Sequence, residues 1–213
     1  MKMSDQELTG VSRCPHCSIA DPRLAKVWQV ESLPRATVGP NRAWAVFACG
    51  TCGHGVLAQG HEAAQNTLLC AVERLYPAPR EAHDDLPPTA RTYLQQAYET
   101  LHAPDAAAVM AASAVDAMLK DLGYREGSLY QRIDKAVTDG TLTSGMAKWA
   151  HSVRLEANRP RHADDADPHL TAKDAKQSVD FAEALGSFLF VFTKRVERGI
   201  ATAERSQAEP PAS

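Results

Sequence analysis

The chain has 213 residues, 44% of them hydrophobic and 23% charged, with 23 Lys+Arg set against 26 Asp+Glu. A formal net charge of −3 excludes a broadly basic nucleic-acid binder, so any contact with nucleic acid must rest on a local site. The longest apolar runs, such as Phe188-Leu189-Phe190-Val191-Phe192, are far too short to span a bilayer, which excludes a membrane partner.

The first residues, Met1-Lys2-Met3-Ser4-Asp5-Gln6-Glu7, are polar and lack the apolar segment of a secretory signal, so the expected location is cytoplasmic. Thiols stay reduced in that compartment, and paired cysteines there suggest metal more than disulfide. The pairs follow at once. Cys14-Pro15-His16-Cys17 is one CxxC knuckle, and Cys49-Gly50-Thr51-Cys52-Gly53 is a second.

Around the knuckles the pattern is strand-like. Residues 24–30, 42–48 and 68–75 read as strands, the second with Trp44 and Val46 on one face and Phe47 on the other. A two-residue spacer lets both sulfurs of a tight turn face one ion, and Gly50 and Gly53 permit backbone angles closed to other residues. Four thiolates from Cys14, Cys17, Cys49 and Cys52 complete a closed tetrahedral site for one structural zinc ion per chain, with no open position for catalysis. A module this small buries little core, so the metal supplies folding energy. The paired knuckles resemble a zinc ribbon over residues 10–76. His16 and His54 sit beside the cysteines and are alternative ligands. Cys70 reads as core. Trp28 and Trp44 fit the module's core, with base stacking the other role open to them.

A Pro-rich linker at residues 77–88 separates unlike halves, and beyond it the period becomes helical. Residues 89–102 form a first amphipathic helix. Pro104 opens a second that stops at Gly123, and Ser128 caps a third ending near Gly140. A fourth carries Met146, Trp149, Ala150 and Val153 and should end or kink at Pro160. Thr171 with Asp174 forms a capping box for the fifth, whose stripe of Phe181, Leu185, Phe188, Leu189, Phe192 and Val196 must be buried. The fold class expected is therefore α+β: a small zinc-ribbon β domain, then an all-α up-and-down bundle over residues 89–198, then a disordered tail at 199–213.

One segment of the helical half stands out. Residues 154–162 place three arginines, Asn158 and His162 at the end of a helix whose earlier turns are apolar. Arg154 and Asn158 are four apart and share a face. Histidine moves protons near neutral pH and arginine holds phosphate through a planar fork, while a helix-end network with solvated arginines accounts for the same residues. Beyond it, His162, Asp164, Asp165, Asp167 and His169 could form a second metal site or simply an acidic loop before a capped helix.

Trp149-Ala150, Arg154, Asn158 and His162, together with Ile133-Asp134-Lys135 and Gly140, resemble a bacterial and phage domain of unknown function in the HEPN superfamily, which often follows a zinc ribbon. The resemblance spans roughly residues 10–198. It implies a homodimeric helical bundle and, in active relatives, a metal-independent endoribonuclease found in phage-defence or toxin settings. Arg154, Asn158 and His162 would be its catalytic residues. Seven residues lie between Arg154 and His162, one more than active relatives have. The alternative is a noncatalytic dimeric module that binds RNA or a protein partner.

Overall fold

The computed structural model describes residues 1–33, 42–62, 70–162 and 169–208. The chain divides into two compact units, Met1–Arg80 and Glu81–Ser213.

The first unit is not a small zinc ribbon. It is a closed antiparallel barrel of six strands: β1 (Lys2–Met3), β2 (Glu7–Thr9), β3 (Leu24–Leu33), β4 (Arg42–Cys49), β5 (Gly55–Glu62) and β6 (Cys70–Tyr76), each paired with the next. The two-residue β1 closes the ring by pairing on one side with β2 (Met3↔Leu8) and on the other with β6 (Met3↔Cys70). Closure leaves no sheet edge to be covered. Small side chains make so tight a barrel feasible: Ala43, Ala45 and Ala58 point inward with Phe47, Val56, Leu24 and Leu75. Gly60 is needed because a Cβ there would lie 2.1 Å from the Ala71 carbonyl oxygen, beside a bulge between β5 and β6.

The alternation in β4 is as the sequence indicates, with Phe47 inside and Trp44 and Val46 outside. Neither tryptophan of the barrel joins its core, whose described positions are filled by Leu24, Phe47, Val56, Leu75 and smaller side chains. Trp28 is 56% exposed, and Trp44 stands on the outer face.

The second unit is helical: α1 (Pro88–Glu99), α2 (Pro104–Asp121), α3 (Leu129–Thr138), α4 (Ser144–His162), α5 (Ala172–Gly186), a π-helical turn (Ser187–Phe192) and α6 (Thr193–Ala208). Helix α2 is its centre and packs against α1, α3, α4 and α5. It does so through a small-residue face, Ala107, Ala111 and Ala114, with Val115, Met118 and Leu119 beside it. Ser128 and Thr171 both form complete capping boxes, with Gln131 and Asp174 as the reciprocal residues.

Three details depart from the sequence reading. Helix α4 runs through Pro160 to His162, because a proline in the last turn removes a single backbone bond where the helix is already ending. The apolar stripe of the long helix is buried only in part. Phe181 and Leu185 are buried, the π turn then shifts the phase so that Phe190 goes inward, and Phe188 and Phe192 are left 49% and 61% exposed. The chain stays helical past Gly199 to Ala208. Ala201, Ala203 and Glu204 are strong helix formers, and a bidentate ion pair from Arg198 to Asp85 (2.8 and 2.7 Å) ties α6 to the segment before α1.

Candidate functional sites

The four knuckle cysteines converge. All four sulfurs lie within 4.8 Å of one another, and none is in a disulfide. Cys14 Sγ and Cys52 Sγ are 3.9 Å apart. A tetrahedral ion with bonds of about 2.3 Å would hold its sulfurs about 3.8 Å apart, close to the Cys14–Cys52 separation, so the thiols present could hold one soft metal ion.

The two knuckles are the same turn built twice. The amide of Cys14 donates to the Ile19 carbonyl and that of Cys49 to the His54 carbonyl, both at 3.0 Å. Four residues after each leading cysteine an amide returns to its carbonyl, Ser18 to Cys14 at 3.0 Å and Gly53 to Cys49 at 2.8 Å. That returning position is left-handed in both, φ 58° at Ser18 and 73° at Gly53. Gly53 adopts it freely and Ser18 does so against its Cβ. Gly50 needs no such freedom, and a Cβ there would meet the Arg23 carbonyl at an ordinary 3.6 Å.

The thiols do not titrate alike. Burial pushes Cys14 up, and pushes Cys17 up to about 12 with the neighbouring thiols of Cys14 and Cys52 adding to the effect. Burial also works against the Cys49 thiolate. There it is outweighed by the amides of Cys52 and Thr51 and the thiols of Cys14 and Cys52, which bring Cys49 down to about 7. A cation must displace the remaining protons, so its affinity falls as pH falls.

His16 and His54 lie beside the cluster without joining it. Their rings stack at 4.9 Å, His16 Nε2 donates to the Gly55 carbonyl at 2.9 Å, and His54 Nδ1 bonds the Cys52 carbonyl at 3.2 Å. Each ring nitrogen so engaged is committed to second-layer support of the knuckles.

In the helical unit, α2, α3, α4 and the start of α1 enclose an open cleft of about 790 Å³, within the range of ligand pockets. Arg154 and Asn158 both line it. The Arg154 guanidinium lies 5.4 Å from the Tyr130 ring centroid, a cation–π distance, and among the described residues its Nε has no hydrogen-bond partner. The His151 ring lies 4.7 Å from that of Tyr130, tilted by 35°, and bonds Asp134 Oδ1 at 3.0 Å.

Sequence reasoning missed the rest of this wall. Arg132, only 13% exposed, reaches Asp116 at 2.5 Å and the Arg125 carbonyl at 3.2 Å, and its Nε is likewise unpartnered among the described residues. Lys120 shares Asp116 at 2.5 Å. Lys120, Arg125, Arg132 and Arg154 outnumber Asp116 and Asp121 by two charges, so the cleft is locally cationic in a chain whose net charge is negative. The spacing of these residues does not reveal it, because they come from α2, α3, α4 and the α2–α3 loop, and packing sets them on one wall.

His162 ends α4 and follows Arg154 and Asn158 at four-residue steps, so the three positions share one helical face; its side chain lies outside the described residues. Asp164, Asp165 and Asp167 lie outside them as well. His169 is paired instead with Asp105, Nδ1 to Oδ2 at 2.7 Å, where the same carboxylate accepts the Leu170 amide at 2.8 Å. Among the described residues the only group of metal-ligating side chains close enough to share an ion is the four-cysteine cluster. No described helix is long and apolar enough to cross a membrane.

These features define a two-unit protein, one unit a β barrel able to hold a metal ion and the other a helical unit with a cationic cleft. The chain belongs to the family described as Domain of unknown function (DUF4145), which it matches over residues 95–202, just over half its length. That match contains Arg132, Arg154 and Asn158 and excludes the barrel. No curated protein and no solved structure matches the chain.

Proposed function

We propose that the chain is an RNA-targeting protein in which the helical unit holds single-stranded RNA at the α2–α3–α4 cleft, and in which zinc is the ion of the four-cysteine cluster. The observation that carries the RNA reading is the convergence of Arg132 and Arg154 on one cleft beside Tyr130 and Asn158. Guanidinium groups hold phosphate, an aromatic face accepts a base, and an amide reads a base edge or a 2′-hydroxyl. The HEPN resemblance supports the same ligand. Zinc is favoured by the all-thiolate donor set and the closed geometry, which suit a structural ion.

Cleavage is the sharper form of this reading. In it His162 takes the proton of the RNA 2′-hydroxyl, whose oxygen bonds to the adjacent phosphorus as the P–O5′ bond breaks. The 5′-oxygen leaves with a proton from the His162 of a second copy, a 2′,3′-cyclic phosphate remains, and Arg154 stabilises the charge that builds on the phosphoryl oxygens. The test is incubation of purified protein with mixed single-stranded RNAs in chelator, followed by sequencing of the ends. Cyclic-phosphate ends that disappear in His162→Ala establish the enzyme. RNA that binds intact, with binding lost in Arg154→Ala, establishes the noncatalytic module. Failure to bind or cleave any RNA rejects the function.

A second copy of the chain is the partner we propose for the exposed Phe188, Phe192, Val196 and Ile200, which recur every four residues through the π-helical turn and α6. A monomer by light scattering at tens of micromolar would rule this out.

A further inference from the structure

The barrel carries aromatic side chains on the wrong side for packing. Trp44, Val46, Leu57 and Gln59 all face outward, because each alternates with a buried neighbour on its strand. The register sets Trp44 opposite Gln59 and Gln59 opposite Arg74, while Leu57 pairs with both Val46 and Tyr76. Trp28 pairs with Val46 on the other flank, next to a strand irregularity that leaves Val27 exposed as well. The Trp44 and Tyr76 rings lie 6.4 Å apart and only 23° from parallel, across β5, and the Tyr76 hydroxyl donates to Gln59 Oε1 at 3.4 Å.

Among the described residues, the charged groups of this part of the barrel include Arg42, His61, Glu73 and Arg74. Glu73 is held by both Arg42 and His61, whereas exposed Arg74 sits in register with Gln59 beside Tyr76. The surface thus combines flat aromatic faces, an amide able to bond a base edge, and a cation for the phosphate chain.

We infer that this outer face of β3–β6 is a stacking platform for the bases of single-stranded RNA, separate from the cleft of the helical unit. The choice of RNA as the occupant rests on the function proposed above; the platform itself is drawn from the barrel alone. Stacking on aromatic side chains tolerates any base, so the barrel would contribute affinity and little sequence preference.

The full chain in a Trp149→Phe background leaves Trp28 and Trp44 as the only tryptophans, and a short fluorescein-labelled oligouridine serves as the probe. Oligouridine should quench the remaining tryptophan fluorescence, and Trp28→Ala, which removes an exposed side chain, should weaken binding roughly tenfold. Tyr76→Leu should weaken it similarly with the barrel still folded. If the probe binds and neither variant changes its affinity, while Arg154→Ala abolishes it, the platform is wrong and the cleft stands. If Trp28→Ala and Tyr76→Leu lose binding and Arg154→Ala does not, the platform stands and the cleft reading falls. Binding without any quenching overturns the platform outright.

Discussion

The barrel and the helical unit reach stability by different routes. Among the described residues, the helical unit buries Phe181, Leu94, Leu119, Met118, Ile133 and Leu185 around an alanine-lined central helix, a core that can hold without help. The barrel buries one aromatic, Phe47, a few aliphatics and several alanines, and Cys14 and Cys49 are themselves part of that core. Its largest aromatics face outward. A small core that gives up its tryptophans to the surface needs another source of stability, and a metal held by the four buried or half-buried thiols would supply it. The helical unit has no such need, which leaves its polar residues free to shape a cleft.

The largest effect should come from breaking the metal cluster. Cys49→Ser removes one of the four thiols, and a structural ion held there would contribute on the order of 10 kcal/mol of apparent binding free energy. It should release the metal and make the barrel protease-sensitive, while the helical signal in circular dichroism persists. Loss of both together would mean that the units do not differ in the way described. Next, Phe181→Ala should cost the helical unit about 3–5 kcal/mol by leaving a cavity, with metal content unchanged by elemental analysis. Thr171→Ala removes the cap of α5 and should cost about 1 kcal/mol in a denaturant titration.

A smaller, pH-dependent contrast follows from the carboxylates of the helical unit. The Leu170 amide and His169 hold Asp105 below the usual carboxylate range, Arg198 does so for Asp85, and the Thr171 hydroxyl and amide for Asp174. A depressed carboxylate stabilises the fold fully above its unfolded value of about 4, and that contribution is lost as pH falls through the lower folded value. Thermal melts of the helical unit should therefore decline below about pH 4, and Asp105→Asn should flatten the decline. Metal content should also fall with pH, since protons compete with the cation for the four thiolates, and elemental analysis across a pH series checks it.

The sequence was legible where local chemistry decides structure. Pro104, Ser128, Thr171 and the two CxxC turns each specify their own neighbourhood, and the helices and knuckles lie where those residues indicate. It was illegible where the outcome depends on distant pairing. Barrel closure hangs on the two-residue β1, too short to show any period, and β5 is built from weak strand formers, Ala58, Gly60 and Gln59. The outward tryptophans follow from that closure, because alternation names two faces without saying which one is inside. Arg154 and Asn158 were visible as an unusual polar end to an apolar helix. Arg132, Tyr130 and Lys120 were not, since only the packing of α2, α3 and α4 brings them to the same wall.

The most direct test of the functional claim is the equilibrium affinity for single-stranded RNA of the wild type and of Arg154→Ala, measured by fluorescence anisotropy at fixed salt with folding checked in parallel. Wild type should bind, and loss of a guanidinium on the cleft should weaken binding about tenfold or more with the helical unit intact. Equal affinity in the two proteins, or no binding by the wild type, would contradict the assignment of this cleft to RNA.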